Sequence, residues 1–207
     1  MIIFKYGQRE LDYLKKKDKK LGLTIDRIGM IEREVNPDLF SALINSIVSQ
    51  QISSRAAATV WKRIQNRFGE ITPETISSVP VEEIQQCGIS TRKSTYIRGI
   101  GVAVMERDLV LSELSALSDD EVIRRLSSLN GIGRWTAEML LIFSMERPDV
   151  VSWDDLAIQR GMNVVYGLKE LNREQFERYR KRYSPFGSVA SLYLWAASTA
   201  YHKKGEK

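Results

Sequence analysis

Asp154 and Asp155 stand side by side in Val150-Val-Ser-Trp-Asp-Asp-Leu-Ala-Ile-Gln-Arg160, where helical spacing resumes after a break. A carboxylate at that point can cap the new helix and complement its positive end. A helix N-terminus also favours the ionised form, which is what a group needs to stabilise a developing cation or to orient a water molecule. About twenty residues upstream lies a second stretch, Leu126-Ser-Ser-Leu-Asn-Gly-Ile-Gly-Arg-Trp-Thr-Ala137. Here an amphipathic helix runs into a Gly-x-Gly turn and a strongly apolar helix follows at once. Glycine permits positive φ and close approach of another backbone. The first N–H groups of the next helix, with the positive end of its dipole, make a seat for phosphate. The pattern is not a dinucleotide fingerprint, because no strand precedes it and no third glycine closes it. A tight turn between two core helices is the competing reading of the hairpin, and plain N-capping that of the Asp pair.

The elements that must position these groups are helical. Leu39, Leu43, Ile44, Ile47 and Val48 recur at three and four, as do Ala56, Val60, Trp61 and Ile64, then Tyr96, Ile97, Ile100 and Val104, then Val122, Ile123 and Leu126. Ser118-Asp-Asp-Glu121 reads as a capping box. Thr72-Pro73 places a cap before a proline at the first helical position, and Asn36-Pro37 is expected to open another helix. Gly69, Gly88, Gly167 and Gly187 fall between periodic segments. The spacing predicts an all-α protein of roughly ten helices joined by short loops.

Composition narrows the chemistry. The chain has 207 residues, with 31 Lys and Arg against 26 Asp and Glu, for a net charge of +5. That balance suits a polyanion partner. The lysines at 15, 16, 17, 19 and 20 form the densest basic run, read as a solvated helix face or an accessory phosphate contact. A single cysteine, Cys87, excludes a disulfide framework, a four-cysteine iron–sulfur cluster and a cysteine-rich zinc site. Cys87 is expected to be a small buried or half-buried residue. A single histidine, His202, excludes a His-rich metal site and is expected at a solvent-facing helix end. The N-terminus has no signal-peptide h-region, and no apolar run is long enough to span a membrane. A cytoplasmic, reduced protein is expected.

Three blocks together resemble the helix-hairpin-helix DNA glycosylase superfamily, in particular its 3-methyladenine-DNA glycosylase II branch. They are Phe40 to Ala58, with Ile47-Val-Ser-Gln-Gln-Ile-Ser-Ser-Arg-Ala-Ala-Ala58; the hairpin with Trp135-Thr-Ala-Glu-Met139; and Asp149 through Asp154-Asp-Leu156 to Pro185-Phe-Gly-Ser188 and Leu194-Trp195. The resemblance covers about residues 37 to 200. It implies a monofunctional enzyme of base excision repair that hydrolyses the N-glycosidic bond of alkylated purines, such as 3-methyladenine and 7-methylguanine, flipped out of duplex DNA. Asp155 is then catalytic and Asp154 the better helix cap. Trp135, Trp195, Met139, Trp153 and Phe186 would line the base pocket, and Gln51 or Ile52 would wedge into the gap left in the stack. The competing reading is that Gln50 and Gln51 only cap the next helix. Gly131, Gly133, Arg134, Thr136, Arg92 and Lys93 would contact the DNA backbone.

Bifunctional relatives carry a lysine two residues before the alanine of the hairpin, as an imine-forming nucleophile. Trp135 occupies that position here, so no strand-cleaving lyase activity is expected. No cofactor is expected to be required; backbone carbonyls of Ser127, Leu129 and Ile132 could hold a structural Na+ or K+. The resemblance further implies two helical lobes, residues 1–36 with 118–207 and residues 37–117, without the extra N-terminal α/β domain of longer relatives. It also implies a monomer acting on damaged double-stranded DNA. Two alternatives stay open: the same scaffold acting on oxidised or deaminated purines, and a non-catalytic DNA-binding module.

Overall fold

A computed structural model describes residues 2–205, with 200–205 as helix backbone only. The expectation for His202 therefore falls on a side chain outside the described ones. Among the described residues there are twelve α-helices, one 3-10 turn and one two-stranded sheet, so the all-α expectation holds. The chain divides into two compact units, Asn36–Leu140 and the segments on either side of it.

In the flanking unit, β1 (Ile2–Ile3) pairs antiparallel with β2 (Glu34–Val35). Helices α1 (Gln8–Lys17) and α2 (Lys19–Ile28) lie between them in sequence, and α10 (Leu156–Tyr166), α11 (Arg173–Tyr183) and α12 (Gly187–Gly205) follow later in the chain. Leu14, Leu21, Ile25, Ile158, Phe176, Tyr193 and Leu194 form its core. Helices α10 and α12 approach so closely that a Cβ on Gly161 would lie 2.1 Å from the Leu194 carbonyl oxygen. Only glycine fits that crossing. The crossing sets the position of the residue next to Leu194, which is Trp195.

The unit Asn36–Leu140 holds α3 (Leu39–Ser49), α4 (Ser54–Phe68), the short α5 (Pro73–Ser78) and α6 (Val81–Gln85), α7 (Thr91–Met105), a 3-10 turn (Leu111–Ala116), α8 (Asp119–Ser127) and most of α9 (Arg134–Phe143). Most of the predicted stripe residues line its core: Leu43, Ile44, Ile47, Ile64, Ile97, Ile100 and Leu126 are fully buried, whereas Ala56 is exposed and Ala57 takes the buried place on α4. Thr72 caps α5 ahead of Pro73 as expected. Asp38, rather than Asn36, caps α3; the Asn36 carboxamide accepts from the Asp38 N–H just outside the helix. Ser118 caps α8, but the Glu121 carboxylate turns to Arg124 and Arg125 instead of closing the box. Cys87 is buried, and that burial pushes its thiol pKa up.

The division differs from the expected boundary at 117. The hairpin belongs with Asn36–Leu140 because its turn is built on that unit's own helices, as its contacts show below. No helix among the described residues is long and apolar enough to cross a membrane.

Candidate active site

In the flanking unit the segment before α10 is pinned by backbone bonds. The Val150 N–H donates to Ser188 Oγ at 3.0 Å and the Val150 carbonyl accepts from Ser191 Oγ at 3.0 Å. Asp149 accepts from the Gly187 N–H at 3.0 Å and from Ser184 Oγ. Val150, Val151 and Ser152 are buried as a result. The helix therefore starts one residue later than the Asp pair suggests. Asp155, not Asp154, is the N-cap of α10: its Oδ1 accepts from the Ala157 and Ile158 N–H groups at 2.8 and 2.9 Å. Asp154 is exposed. The cap assigned to Asp154 is corrected accordingly, and cap and catalytic candidate become one residue.

Asp155 is only 6% exposed. Its Oδ2 accepts from Trp195 Nε1–H at 3.2 Å, across the α10–α12 crossing. The Trp195 ring leans on Phe143, with centroids 5.4 Å apart at 32°, and the Arg33 guanidinium stands 5.0 Å above the Phe143 ring. Two oxygens fixed by N–H donors on different elements leave the carboxylate one orientation. A fixed negative group of this kind is the arrangement that stabilises a cationic transition state without reorganising.

The other expected pocket aromatics are placed differently. Trp153 meets Phe176 edge-on at 5.1 Å with Arg173 stacked above it, and its carbonyl accepts from Gln159 Nε2. Phe186 meets Tyr13 edge-on at 5.1 Å. Both rings are thus held by packing partners far away in sequence. Trp135, 45% exposed, and the half-buried Met139 lie on α9 within Asn36–Leu140. Phe143, Gly161 and Arg33 were missed by sequence reasoning. A glycine inside the periodic run after Asp155 was the available signal for the first contact of α10 with α12; Arg33 and Phe143 carry none.

Within Asn36–Leu140 the hairpin turn is compact. Leu129 N–H donates to Leu126 O and Ile132 N–H to Leu129 O. Gly131 has φ +89°, and a Cβ there would sit 2.6 Å from the Tyr96 ring and 3.3 Å from Ile47. Gly133 accepts the first α9 bond, from Ala137 N–H at 3.0 Å, and is exposed at the mouth of the helix. Thr136, Ala137 and Ile132 are buried behind it. Arg134 stays exposed but its Nε donates to the buried Glu138 at 3.0 Å. Arg92 is also exposed, and its Nε donates to Tyr96 Oη at 2.7 Å.

Lys93 departs from expectation. Its Nζ donates to the Val48 and Gln50 carbonyls at 3.1 and 2.5 Å, at the end of α3. Burial there pulls its pKa below the ordinary lysine value. A phosphate contact by Lys93 is replaced by a helix C-cap contact, the favourable place for a cation. Gln51 and Ile52 are exposed, and Gln51 has φ +58°. Ser53, not the Gln pair, caps α4. Among the described residues no group of three or more His, Cys, Asp or Glu could hold a metal ion. In the hairpin the buried Ser127 Oγ has no hydrogen-bond partner among the described residues.

The model of the HhH-GPD superfamily base excision DNA repair protein matches residues 44–185. The chain is 36% identical over 164 residues to the DNA-3-methyladenine glycosylase 1 of Schizosaccharomyces pombe, spanning 77% of this chain and 72% of that protein. The crystal structure of a DNA-3-methyladenine glycosidase from Bacillus halodurans matches with a TM-score of 0.88 and 33% identity, over 98% of this chain and 95% of that one. A Schizosaccharomyces pombe 3-methyladenine DNA glycosylase in complex with abasic DNA matches with a TM-score of 0.79 and 31% identity, over 93% of this chain and 97% of that one. The glycine hairpin and the carboxylate twenty residues beyond it both lie inside the matched span, and the chain belongs to the HhH-GPD superfamily of base excision DNA repair proteins.

Proposed function

We propose that this protein is a monofunctional DNA glycosylase that releases alkylated purines, of the 3-methyladenine and 7-methylguanine type, from double-stranded DNA. The observation that carries the reading is Asp155, a buried carboxylate fixed by two helix N–H groups and an indole N–H. Alkylation at purine N3 or N7 makes the base cationic and a good leaving group. As the bond from C1′ to the base nitrogen breaks, its electron pair stays with the base and the sugar becomes oxocarbenium-like. The Asp155 carboxylate stabilises that charge. Water then adds to C1′ and gives up a proton, for which Asp155 is the acceptor. The products are a free base and an intact abasic site.

Hydrolysis, rather than imine chemistry, is supported by Trp135 at the hairpin position where bifunctional relatives place a lysine. The electron-rich face of Trp195, beside Asp155, suits a cationic base. The exposed Gly133 and the first N–H groups of α9 suit a phosphate. The carbonyls of Ser127, Leu129 and Ile132 would hold a Na+ or K+ there. The protein would work as a monomer on nucleoid DNA in the cytoplasm, which sedimentation of the pure chain with and without duplex checks for its oligomeric part.

The test is base release from methylated duplex, with products identified and Asp155→Asn as control. Free 3-methyladenine or 7-methylguanine from the wild type, and about 10³-fold slower release from the variant, is expected; release by the variant at the wild-type rate overturns the role of Asp155. Borohydride trapping of pure protein on DNA, or robust strand cleavage, overturns the monofunctional assignment.

A further inference from the structure

The loop between α3 and α4 protrudes without much beneath it. Ile52 is 41% exposed, and Gln51 holds a left-handed backbone that costs a non-glycine residue on the order of 1 kcal/mol. Behind the loop lies a cavity of about 230 Å³ lined by Val48, Ile52, Val60, Gly88, Ile89 and Lys93. Packing alone therefore leaves the loop room to fall back. Two polar ties hold it out. Lys93, on the first turn of α7, donates to the Val48 and Gln50 carbonyls. Gln50 in turn donates through Nε2 to the Gly131 carbonyl in the hairpin turn, at 2.8 Å. The ammonium thus fixes the backbone of Gln50, and the Gln50 side chain fixes that backbone to the phosphate-binding turn. A wedge must resist the stack it enters, because extruding a nucleotide costs a few kcal/mol.

We propose that Lys93 is a positioning residue: by clamping the end of α3 it holds the Gln50–Ser53 loop in the extended form that replaces an extruded nucleotide, and it makes no phosphate contact itself. The assignment rests on the glycosylase reading above. It separates Lys93 from the neighbouring Arg92, which is exposed and remains a phosphate candidate.

The experiment compares wild type, Lys93→Met and Lys93→Arg in three measurements. These are single-turnover excision from methylated duplex, the salt dependence of binding to an abasic duplex, and the fluorescence of 2-aminopurine placed next to the abasic site. Lys93→Met should lower the excision rate and the unstacking signal about tenfold, the loss that one or two good polar ties carry. The slope of log affinity against log salt should stay unchanged, and Lys93→Arg should restore most of the rate. A slope reduced by about one, the signature of a lost phosphate contact, overturns the proposal. So does an unchanged rate together with an unchanged fluorescence. If Lys93→Met fails to fold, Gln50→Ala cuts the same path at its second tie; it should lower the unstacking signal in the same direction, and a wild-type signal from it overturns the clamp. Absence of excision by the wild type would refute the glycosylase reading alone, because the abasic-duplex fluorescence still reports the clamp.

Discussion

Two carboxylates in the flanking unit begin alike and end differently. Asp18 and Asp155 are 3% and 6% exposed, and each is the N-cap of a helix. Each uses Oδ1 on two backbone N–H groups, Lys20 and Leu21 for Asp18, Ala157 and Ile158 for Asp155. The second oxygen separates them. Asp18 Oδ2 accepts from Tyr166 Oη at 2.8 Å and from Arg182 Nη1 at 3.1 Å. Tyr166 continues to Tyr183 Oη at 2.7 Å and stacks on Tyr179 at 3.6 Å. Asp155 Oδ2 meets an indole N–H. The Arg182 guanidinium sets a full positive charge against Asp18, whereas the Trp195 indole N–H is a neutral donor that orients Asp155. Capping is thus the shared structural job, and the two residues differ in the partner of the second oxygen, on which the proposed division between a fold role and a catalytic role rests.

The largest expected effect tests the chemical half. Asp155→Asn should lower base release by about 10³-fold, the scale of removing a preorganised electrostatic group. The cap survives, because Asn caps a helix as well as Asp does, but the amide N–H₂ then faces the Trp195 N–H, so a stability loss of about 1–2 kcal/mol is expected beside the activity loss. Excision assays beside a thermal melt check both parts, and binding to an abasic duplex should be largely unchanged. Asp18→Asn should cost stability alone. It places an amide N–H₂ where Tyr166 and Arg182 donate, which should cost about 1–3 kcal/mol of stability with excision per folded molecule unchanged. A denaturant titration measures the first and active-site-normalised kinetics the second. Equal activity losses in the two variants would collapse the distinction. Trp195→Phe is a finer cut, since it keeps the ring against Phe143 and removes only the N–H. Excision should fall about tenfold, the value of one orienting hydrogen bond, and wild-type kinetics would assign Trp195 to stacking alone.

These groups were not equally legible beforehand. The hairpin could be read because its chemistry is local: the glycines, the turn and the following helix are contiguous. Gly131 has the expected positive φ and close contact, whereas Gly133 has neither and has open space around it. Asp155 was legible as the catalytic candidate, but its capping role was not. The start of α10 is set by Ser188 and Ser191 holding Val150, contacts made 38 and 41 residues away. Lys93 failed for the same reason: its carbonyl partners lie 45 and 43 residues back, so its sequence context shows only a helix N-terminus. Trp153 and Phe186 were readable as aromatic and apolar, but their partners, Phe176 and Tyr13, are fixed by tertiary packing. The unit boundary was misplaced because sequence joins the hairpin to Asp155, whereas Gln50, Tyr96 and Ile47 join it to α3 and α7.

The smallest expected effect appears only at alkaline pH and touches one half of the comparison. Burial pushes the Tyr166 and Tyr183 phenols well above the ordinary tyrosine range, and the Asp18 carboxylate beside them adds to the shift. The folded state therefore keeps both protons where the unfolded chain gives them up. Stability from this cluster is fully present below pH about 10, the ordinary tyrosine value, and falls as pH rises above it, because the unfolded state then binds fewer protons. Each such phenol adds a slope of about 1.4 kcal/mol per pH unit. Tyr166→Phe should remove one phenol's share, so its stability should fall less steeply than the wild type's between pH 10 and 12, from a lower starting value because the bond to Asp18 is lost. Denaturant titrations across that range supply both curves. Asp155 accepts from indole and backbone N–H groups rather than from a phenol, so excision per folded molecule should not share the tyrosine-dependent slope. If Tyr166→Phe flattened the alkaline loss of activity per folded molecule as well as that of stability, the two carboxylates would not be separable as proposed.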